Sequence, residues 1–381
     1  MNFSWSAEQL EFKETVIGFA QKELNHGLLE RDKEGQFCRE NWRKCAEFGI
    51  LGLPFPEEYG GAATDILTTM LTMEGLGYGC RDNGLVFALN AQMWSVQHPI
   101  LTLGTSAQKK KYLSRLISGE MIGAHGMSEP DSGSDAYSLR TRAEKCEDGY
   151  RLNGTKTFVT SAPIADLALV FATTNPKKKM WGITAFLVER GTPGFKVSGD
   201  IEKMGMRTAP MGELILQDCY IPAENRLGPE GAGGRIFNSS MEWERSCILG
   251  SHLGAMEHQL EVCIRYANER RQFKQPIGKF QSVSNRIANM KVRLETARLH
   301  LYKVAWLKKQ GKPATMEAAI AKLYLSEAFV ESSMDAIRIH GGYGYMSEFG
   351  VERDLRDAIG GTLYSGTSDI QRNIITRLLG L

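Results

Sequence analysis

The chain has 381 residues, more than one ordinary hydrophobic core holds, so two or three structural domains are expected. Apolar residues make up 42% and charged residues 24%, with a formal net charge of +2, a balance with no pull toward nucleic acid or an anionic membrane. No uncharged apolar run is long enough to span a bilayer, and the start MNFSWSAEQLEFKETV has neither the basic nor the apolar part of a secretory signal, so the cytoplasm is the expected location.

From about 7 to 120 the pattern is helical, beginning with Leu10, Phe12, Val16, Phe19 and Ala20 at helical spacing. The glycine- and proline-rich GILGLPFPEEYGG (49–61) reads as a loop, and helices resume near 65–78 and 106–118. From about 121 to 230 the chain is rich in short β runs: ALVFATT (168–174), ITAFLVE (183–189) and ELILQDC (213–219). Asn153-Gly154 and Pro193-Gly194 read as turns between them, which predicts a small antiparallel barrel or sandwich. From about 234 long apolar stripes return. Leu249, Leu253, Met256, Leu260, Cys263 and Ala267 form one, and Phe280, Val283, Ile287, Met290, Leu294, Ala297, Leu301 and Val304 another. Such stripes pack as antiparallel helices of a bundle. A further helix is expected from Ala314 to about His340, stopping at Gly341-Gly342, and a last one from Thr367 or Ser368, both N-cap types.

The predicted fold is therefore α+β: an N-terminal helical domain (1–120), a middle β domain (121–233) and a C-terminal four-helix bundle (234–381). No G-x-G-x-x-G turn follows a strand, which argues against a Rossmann domain. Seven cysteines, odd in number and without C-x-x-C spacing, argue against disulfides and a cysteine zinc site, and no metal is expected.

Five motifs, in order, resemble the acyl-CoA dehydrogenase superfamily over essentially the whole chain. They are GLPFPEEYGG, Met127-Ser128-Glu129-Pro130 running to Gly133-Ser134-Asp135, Phe158-Val159-Thr160, Arg270-Arg271-Gln272-Phe273 with Pro276-Ile277 and Phe280-Gln281, and the end GGYGYMSEFGVERDLRDAIGGTLYSGTSDIQ (341–371). The resemblance implies FAD and a homotetramer built as a dimer of dimers. A narrower likeness, carried by Ser239 to Arg245, by Arg270 to Phe273 and by Tyr364-Ser365-Gly366-Thr367-Ser368-Asp369, is to prolyl–carrier-protein dehydrogenases and oxidases, including the anatoxin-a type. Those enzymes oxidise proline held as a thioester on an acyl or peptidyl carrier protein.

The last motif carries an anomaly. The family's Tyr-Glu-Gly-Thr run, which supplies a catalytic base, reads Tyr364-Ser365-Gly366-Thr367 here. A serine cannot remove a carbon-bound proton unaided near neutral pH. Glu244 matches the position from which isovaleryl-type relatives supply their base, so it is the expected catalytic residue. Helical phase alone sets Glu244 roughly 140° from the centre of the Leu249–Ala267 stripe, so periodicity by itself reads it as a solvated helix glutamate.

The resemblance places Arg245, Ser134, Tyr364 and Glu242 on the substrate side. An ion pair with a bundle carboxylate is the alternative for Arg245, and a turn serine the alternative for Ser134. Met127, Ser128, Phe158 and Thr160 match positions around the flavin ring, with sheet core as the alternative for Met127 and Phe158. Arg270, Phe273, Gln281, Arg338, Gly341, Gly342, Thr367 and Asp369 match contacts to FAD, several of them from a neighbouring subunit. Arg338 and Asp369 each stand where the family commonly has glutamine.

The expected activity is FAD-dependent α,β-dehydrogenation of a prolyl thioester on a carrier protein, giving a pyrroline-type product. Two alternatives stand: an acyl-CoA dehydrogenase for a short or branched acyl group, and a flavin-binding carrier-docking protein without catalysis. Lys109 to Lys111 and Lys177 to Lys179 are short basic runs, read as solvated faces or as docking points for an acidic carrier.

Overall fold

A computed structural model describes residues 4–381. The first block holds α1 (Ala7–Glu23), α2 (Leu28–Glu34), α3 (Arg39–Glu47), α4 (Ile66–Gly79), α5 (Asn83–Ala91), α6 (His98–Leu103) and α7 (Ser106–Ile117). The starts of α1 and α7 follow from capping boxes, Ser6 with Gln9 and Thr105 with Gln108, which satisfy N–H groups left free at a helix end. Residues 49–61 form the expected loop, wound locally into two 3₁₀ turns. Between α5 and α6 the chain does not unwind. It passes through a wider π-helical turn, Gln92–Gln97, a winding often found near functional sites.

The middle block is a sheet of β1 (Gly123–Gly126), β2 (Arg142–Cys146), β3 (Gly149–Thr160), β4 (Leu167–Thr173), β5 (Ile183–Glu189), β6 (Phe195–Val197), β7 (Met211–Pro222) and β8 (Arg226–Leu227). The strand order is β6-β7-β3-β2-β4-β5-β8, with β1 also on β4. It is antiparallel except for β1 against β4 and a single β2–β4 pair. Asn153-Gly154 is not a turn. It lies inside β3, where the register against β7 shifts. Gly154 takes φ 150°, and a Cβ there would meet Thr141 Oγ1 at 2.4 Å. The Asn153 side chain bonds Asp218 at both ends, so the dipeptide builds a bulge. Both faces of β4 are buried. Leu167, Leu169 and Phe171 join the helical core, while Ala168, Val170 and Ala172 join the sheet's own core.

The last block holds α8 (Gly233–Cys247), α9 (Gly250–Glu269), a hairpin of β9 (Arg271–Gln272) and β10 (Gln275–Pro276), then α10 (Gln281–Lys309), α11 (Thr315–His340), α12 (Val351–Gly361) and α13 (Ser368–Leu378). The predicted stripes, from Leu249 to Cys263 and from Val283 to Leu301, meet in one core with Leu325, Phe329 and Ala336 of α11, while Val304 joins a smaller cluster with Ala314, Ala318 and Ala321. α11 stops at Gly341, whose φ of 60° suits glycine, and Thr367 caps α13 by accepting from Ile370 N–H. All seven cysteines are free.

Candidate active site

Glu244 lies in the last turn of α8 and is 9% exposed. The helical-phase reading of a solvated glutamate is wrong for a local reason. α8 ends at Cys247 and α9 starts afresh at Gly250, so the stripe of α9 does not carry its phase back to residue 244. Two hydroxyls hold the carboxylate. Ser95, from the π-helical turn, donates to Oε2, and Ser365 Oγ donates to Oε1 at 2.5 Å. No cation bonds it among the described residues. Burial therefore pushes its pKa above the usual carboxylate value, against the two hydroxyls and the nearby Arg245.

Ser365 thus sits in direct contact with the Glu244 carboxylate. Its backbone is left-handed (φ 54°), a conformation costly for serine that recurs at functional sites. Gln371, fully buried, pins that loop by donating to the carbonyls of Ser365 (3.3 Å) and Gly366 (2.8 Å). Arg245 makes no ion pair among the described residues. Its Nε donates to the Ser365 carbonyl at 3.1 Å, and burial lowers its pKa. Tyr364 packs its ring 4.7 Å from that of Phe87, and its hydroxyl lies 3.2 Å from His252 Nε2. Burial and Glu244 both raise the Tyr364 pKa, while burial and then Lys322 push His252 down to about 4.

Glu242 is not part of this group, contrary to the sequence reading. Two residues along a helix face different sides. Its oxygens are bonded to Lys308 Nζ (3.0 Å) and Thr315 Oγ1 (2.8 Å), and Lys308 also lies over the Trp243 ring at 4.0 Å. Ser134 is exposed in the turn after β1.

The candidate cofactor residues fall into two groups. In the β block, Met127 is buried and the Ser128 carbonyl accepts from Thr157 N–H at 2.9 Å. Beside that bond β3 slips register a second time, and there Phe158 has φ 55° and is 66% exposed. The bulge turns the ring out of the sheet, which excludes sheet core for Phe158 but not for Met127. Thr160 pairs with Met211 at the end of β3. Thr367 spends its hydroxyl on the α13 cap, and exposed Asp369 pairs with Arg372 at 3.0 Å.

The second group gathers where α9 and α11 end, joined by the Tyr266–His340 ring stack at 4.2 Å. Arg270 lies over the Tyr343 ring at 5.6 Å, and Arg338 reaches Asp335 at 3.5 Å. Gly341 and Gly342 have open space where a Cβ would stand. Phe273 is 87% exposed, an unusual surplus of apolar surface, and Gln281 is exposed as well.

Sequence reasoning missed Ser95, which lies 149 positions from Glu244 and carries no motif. It also missed Lys322, fully buried with no partner for its Nζ among the described residues; a lysine amid the apolar positions of α11 was the available signal.

Models of the acyl-CoA dehydrogenase N-terminal, middle and C-terminal domains match residues 6–120, 124–219 and 231–380. The chain belongs to the acyl-CoA dehydrogenase family. Within that family it is 46% identical to an L-prolyl-[peptidyl-carrier protein] dehydrogenase of Pseudomonas fluorescens, over 100% of both chains. It is 42% identical to the enzyme of the same description from a Serratia species, over 100% of this chain and 99% of that one. Among solved acyl-CoA dehydrogenase folds, the prolyl acyl carrier protein oxidase AnaB superposes with a TM-score of 0.98 at 52% identity, covering 99% of this chain and 100% of AnaB. PigA, solved with FAD and proline, superposes with a TM-score of 0.98 at 42% identity over 100% of both chains. This member of the acyl-CoA dehydrogenase family is an oxidoreductase. Among the described residues, no helix is long and apolar enough to cross a membrane, and no group of three or more His, Cys, Asp or Glu side chains is placed to hold a metal ion.

Proposed function

We propose that this enzyme dehydrogenates a prolyl thioester carried on the phosphopantetheine arm of a carrier protein, with Glu244 as the base that removes the α-proton. One observation carries the assignment of the base. Glu244 is the buried carboxylate that the Ser365 hydroxyl reaches, at the loop where the family's own base is missing. Burial without a bonded cation strengthens a carboxylate as a base, and the thioester carbonyl acidifies the α-proton that the carboxylate removes. The two serine hydroxyls orient the carboxylate and hold its charge before the proton arrives. Arg245 fixes the Ser365 backbone from which one of those hydroxyls projects. The substrate reading is supported by the two prolyl-carrier dehydrogenases and by AnaB and PigA.

The cofactor is FAD, which when bound supplies the acceptor for the hydride that leaves the substrate. The residues present fit it. The outward ring of Phe158 offers a face to a flat ring, and the edge beside Met127, Ser128 and Thr160 offers backbone and hydroxyl groups. Arg270 and Arg338 offer the forked donors that suit a diphosphate. Open space over Gly341 and Gly342 leaves that end of the bundle approachable. The exposed Phe273 favours the reading in which this end meets the FAD of a neighbouring subunit, in a homotetramer built as a dimer of dimers.

Mass spectrometry of prolyl-carrier protein after incubation with the enzyme is expected to show loss of two hydrogens. In Glu244→Gln, exchange of the α-proton with deuterated solvent should fall on the order of 10²–10⁴-fold while the yellow flavin stays bound. Retained turnover in that variant would remove Glu244 from the mechanism. Preference for a short or branched acyl-CoA over the prolyl carrier would replace the substrate.

A further inference from the structure

The two lysine runs are not equivalent. In the first, Lys111 is paired with Glu189 at 2.6 Å. In the second, Lys177, Lys178 and Lys179 are all exposed and have no ion-pair partner among the described residues. These three line a groove of about 480 Å³ together with Asp135, Tyr137 and Trp181. Three lysines against one aspartate leave the lining with a net charge of +2. Trp181 is 59% exposed, the kind of large apolar side chain that anchors protein interfaces.

The groove is built onto the catalytic helix. The lysine segment, Pro176–Gly182, kinks at Lys179 (φ 47°, ψ −126°) and presses on the first turn of α8. A Cβ on Gly234 would stand 2.3 Å from Met180 Cγ and 2.7 Å from its carbonyl oxygen, so only glycine permits this approach. Asn238 of α8 then ties the walls together. It accepts from the Tyr137 hydroxyl at 2.5 Å and reaches Met180 Sδ at 3.8 Å. Along the helix axis Asn238 is only about 9 Å from Glu244. Tyr137 and Arg245 lie close enough to act on each other's protonation.

We propose that this groove docks the carrier protein, with its acidic face and the phosphate of its arm against Lys177 and Lys178, Trp181 as the apolar anchor, and the arm running past Tyr137 and Asn238 toward Glu244. The proposal rests on the carrier-bound substrate argued above. A carrier protein suits the groove because it presents acidic side chains beside one phosphodiester, and complementary charge speeds encounter and fixes orientation. Free prolyl-CoA would bring phosphates without a protein face.

The test compares three thioesters on the flavin-loaded enzyme: prolyl-carrier protein, prolyl-CoA and prolyl-N-acetylcysteamine. In the double variant Lys177→Glu/Lys178→Glu, kcat/KM for the carrier substrate should fall roughly ten- to a hundredfold, within the range over which charge steering acts. Prolyl-CoA, which brings the arm's phosphate without the protein face, should lose clearly less, and prolyl-N-acetylcysteamine, which has no phosphate, should be unaffected; Lys109→Glu/Lys110→Glu, which carries the same charge change elsewhere, should leave all three substrates unchanged. Calorimetric binding of the carrier with an unloaded arm should weaken in the first double variant only. Unchanged carrier kinetics and binding would overturn the docking site, and an equal loss on prolyl-CoA would reassign the lysines to a CoA phosphate. If the wild type binds the carrier through these lysines yet oxidises no prolyl thioester, docking stands and the prolyl reading falls.

Discussion

Glu129 and Glu244 are both buried carboxylates, and the chain treats them in opposite ways. Glu129 receives the fully buried ammonium of Lys156 at 2.7 Å, together with the backbone N–H groups of Arg140 and Thr141. Its pKa is lowered: burial acts against ionisation, and the charge and hydrogen bond of Lys156 outweigh it. Glu244 receives two hydroxyls and no cation, and its pKa is raised. Burial alone therefore does not make a base. A buried carboxylate whose charge is already neutralised holds the fold, and one whose charge is only hydrogen-bonded keeps an appetite for a proton.

The contrast breaks most sharply at Glu129. Glu129→Ala strands the Lys156 ammonium in the sheet, which should cost about 3–5 kcal/mol in urea unfolding. A loss of activity there should follow stability and not shift the pH profile. Ser365→Ala works the other way. It removes a hydroxyl that favours the ionised Glu244, so the pKa of Glu244 should rise and, with Glu244 as the proposed base, the acid limb of kcat/KM should move to higher pH. An unmoved limb would mean that Ser365 does not tune the proposed base.

Stability supplies the third comparison. Glu244 holds its proton more tightly folded than unfolded, so it favours the native state below the unfolded value. That advantage is lost as pH rises through the folded value. Glu244→Gln should therefore unfold at a higher temperature than the wild type at pH 8, with the gap closing toward pH 4. The smallest effect belongs to Glu242. Its partners are Lys308 and Thr315, so Glu242→Gln should cost about 1 kcal/mol and leave the pH profile of turnover in place.

The sequence makes the three blocks plain because each has its own period: apolar stripes for the helices, short β-branched runs for the strands. Its misreadings are local. Asn153-Gly154 has hairpin chemistry, yet two neighbouring strands continue past it, so the same flexibility becomes a bulge. Glu244 is legible only through a resemblance, because α8 ends at Cys247 and α9 begins at Gly250, so Glu244 follows the packing of α8 and not the stripe of α9. Ser95 was not legible at all. Its role comes from a contact between chain segments far apart, which no local pattern records. Glu242 was drawn into the site by its neighbours in the motif, whereas a helix sends adjacent motif residues to different sides.

The widened turn at Gln92–Gln97 gives the site an unusual dependence on chain length. Losing one residue from that stretch would let it tighten to ordinary winding, re-aiming the side chains inside the turn while the helix beyond keeps its phase. Ser95 would then swing away from Glu244 with no side chain exchanged for another. A single-codon deletion there, like a point change at Ser95 or Ser365, would reset how firmly the Glu244 carboxylate is held.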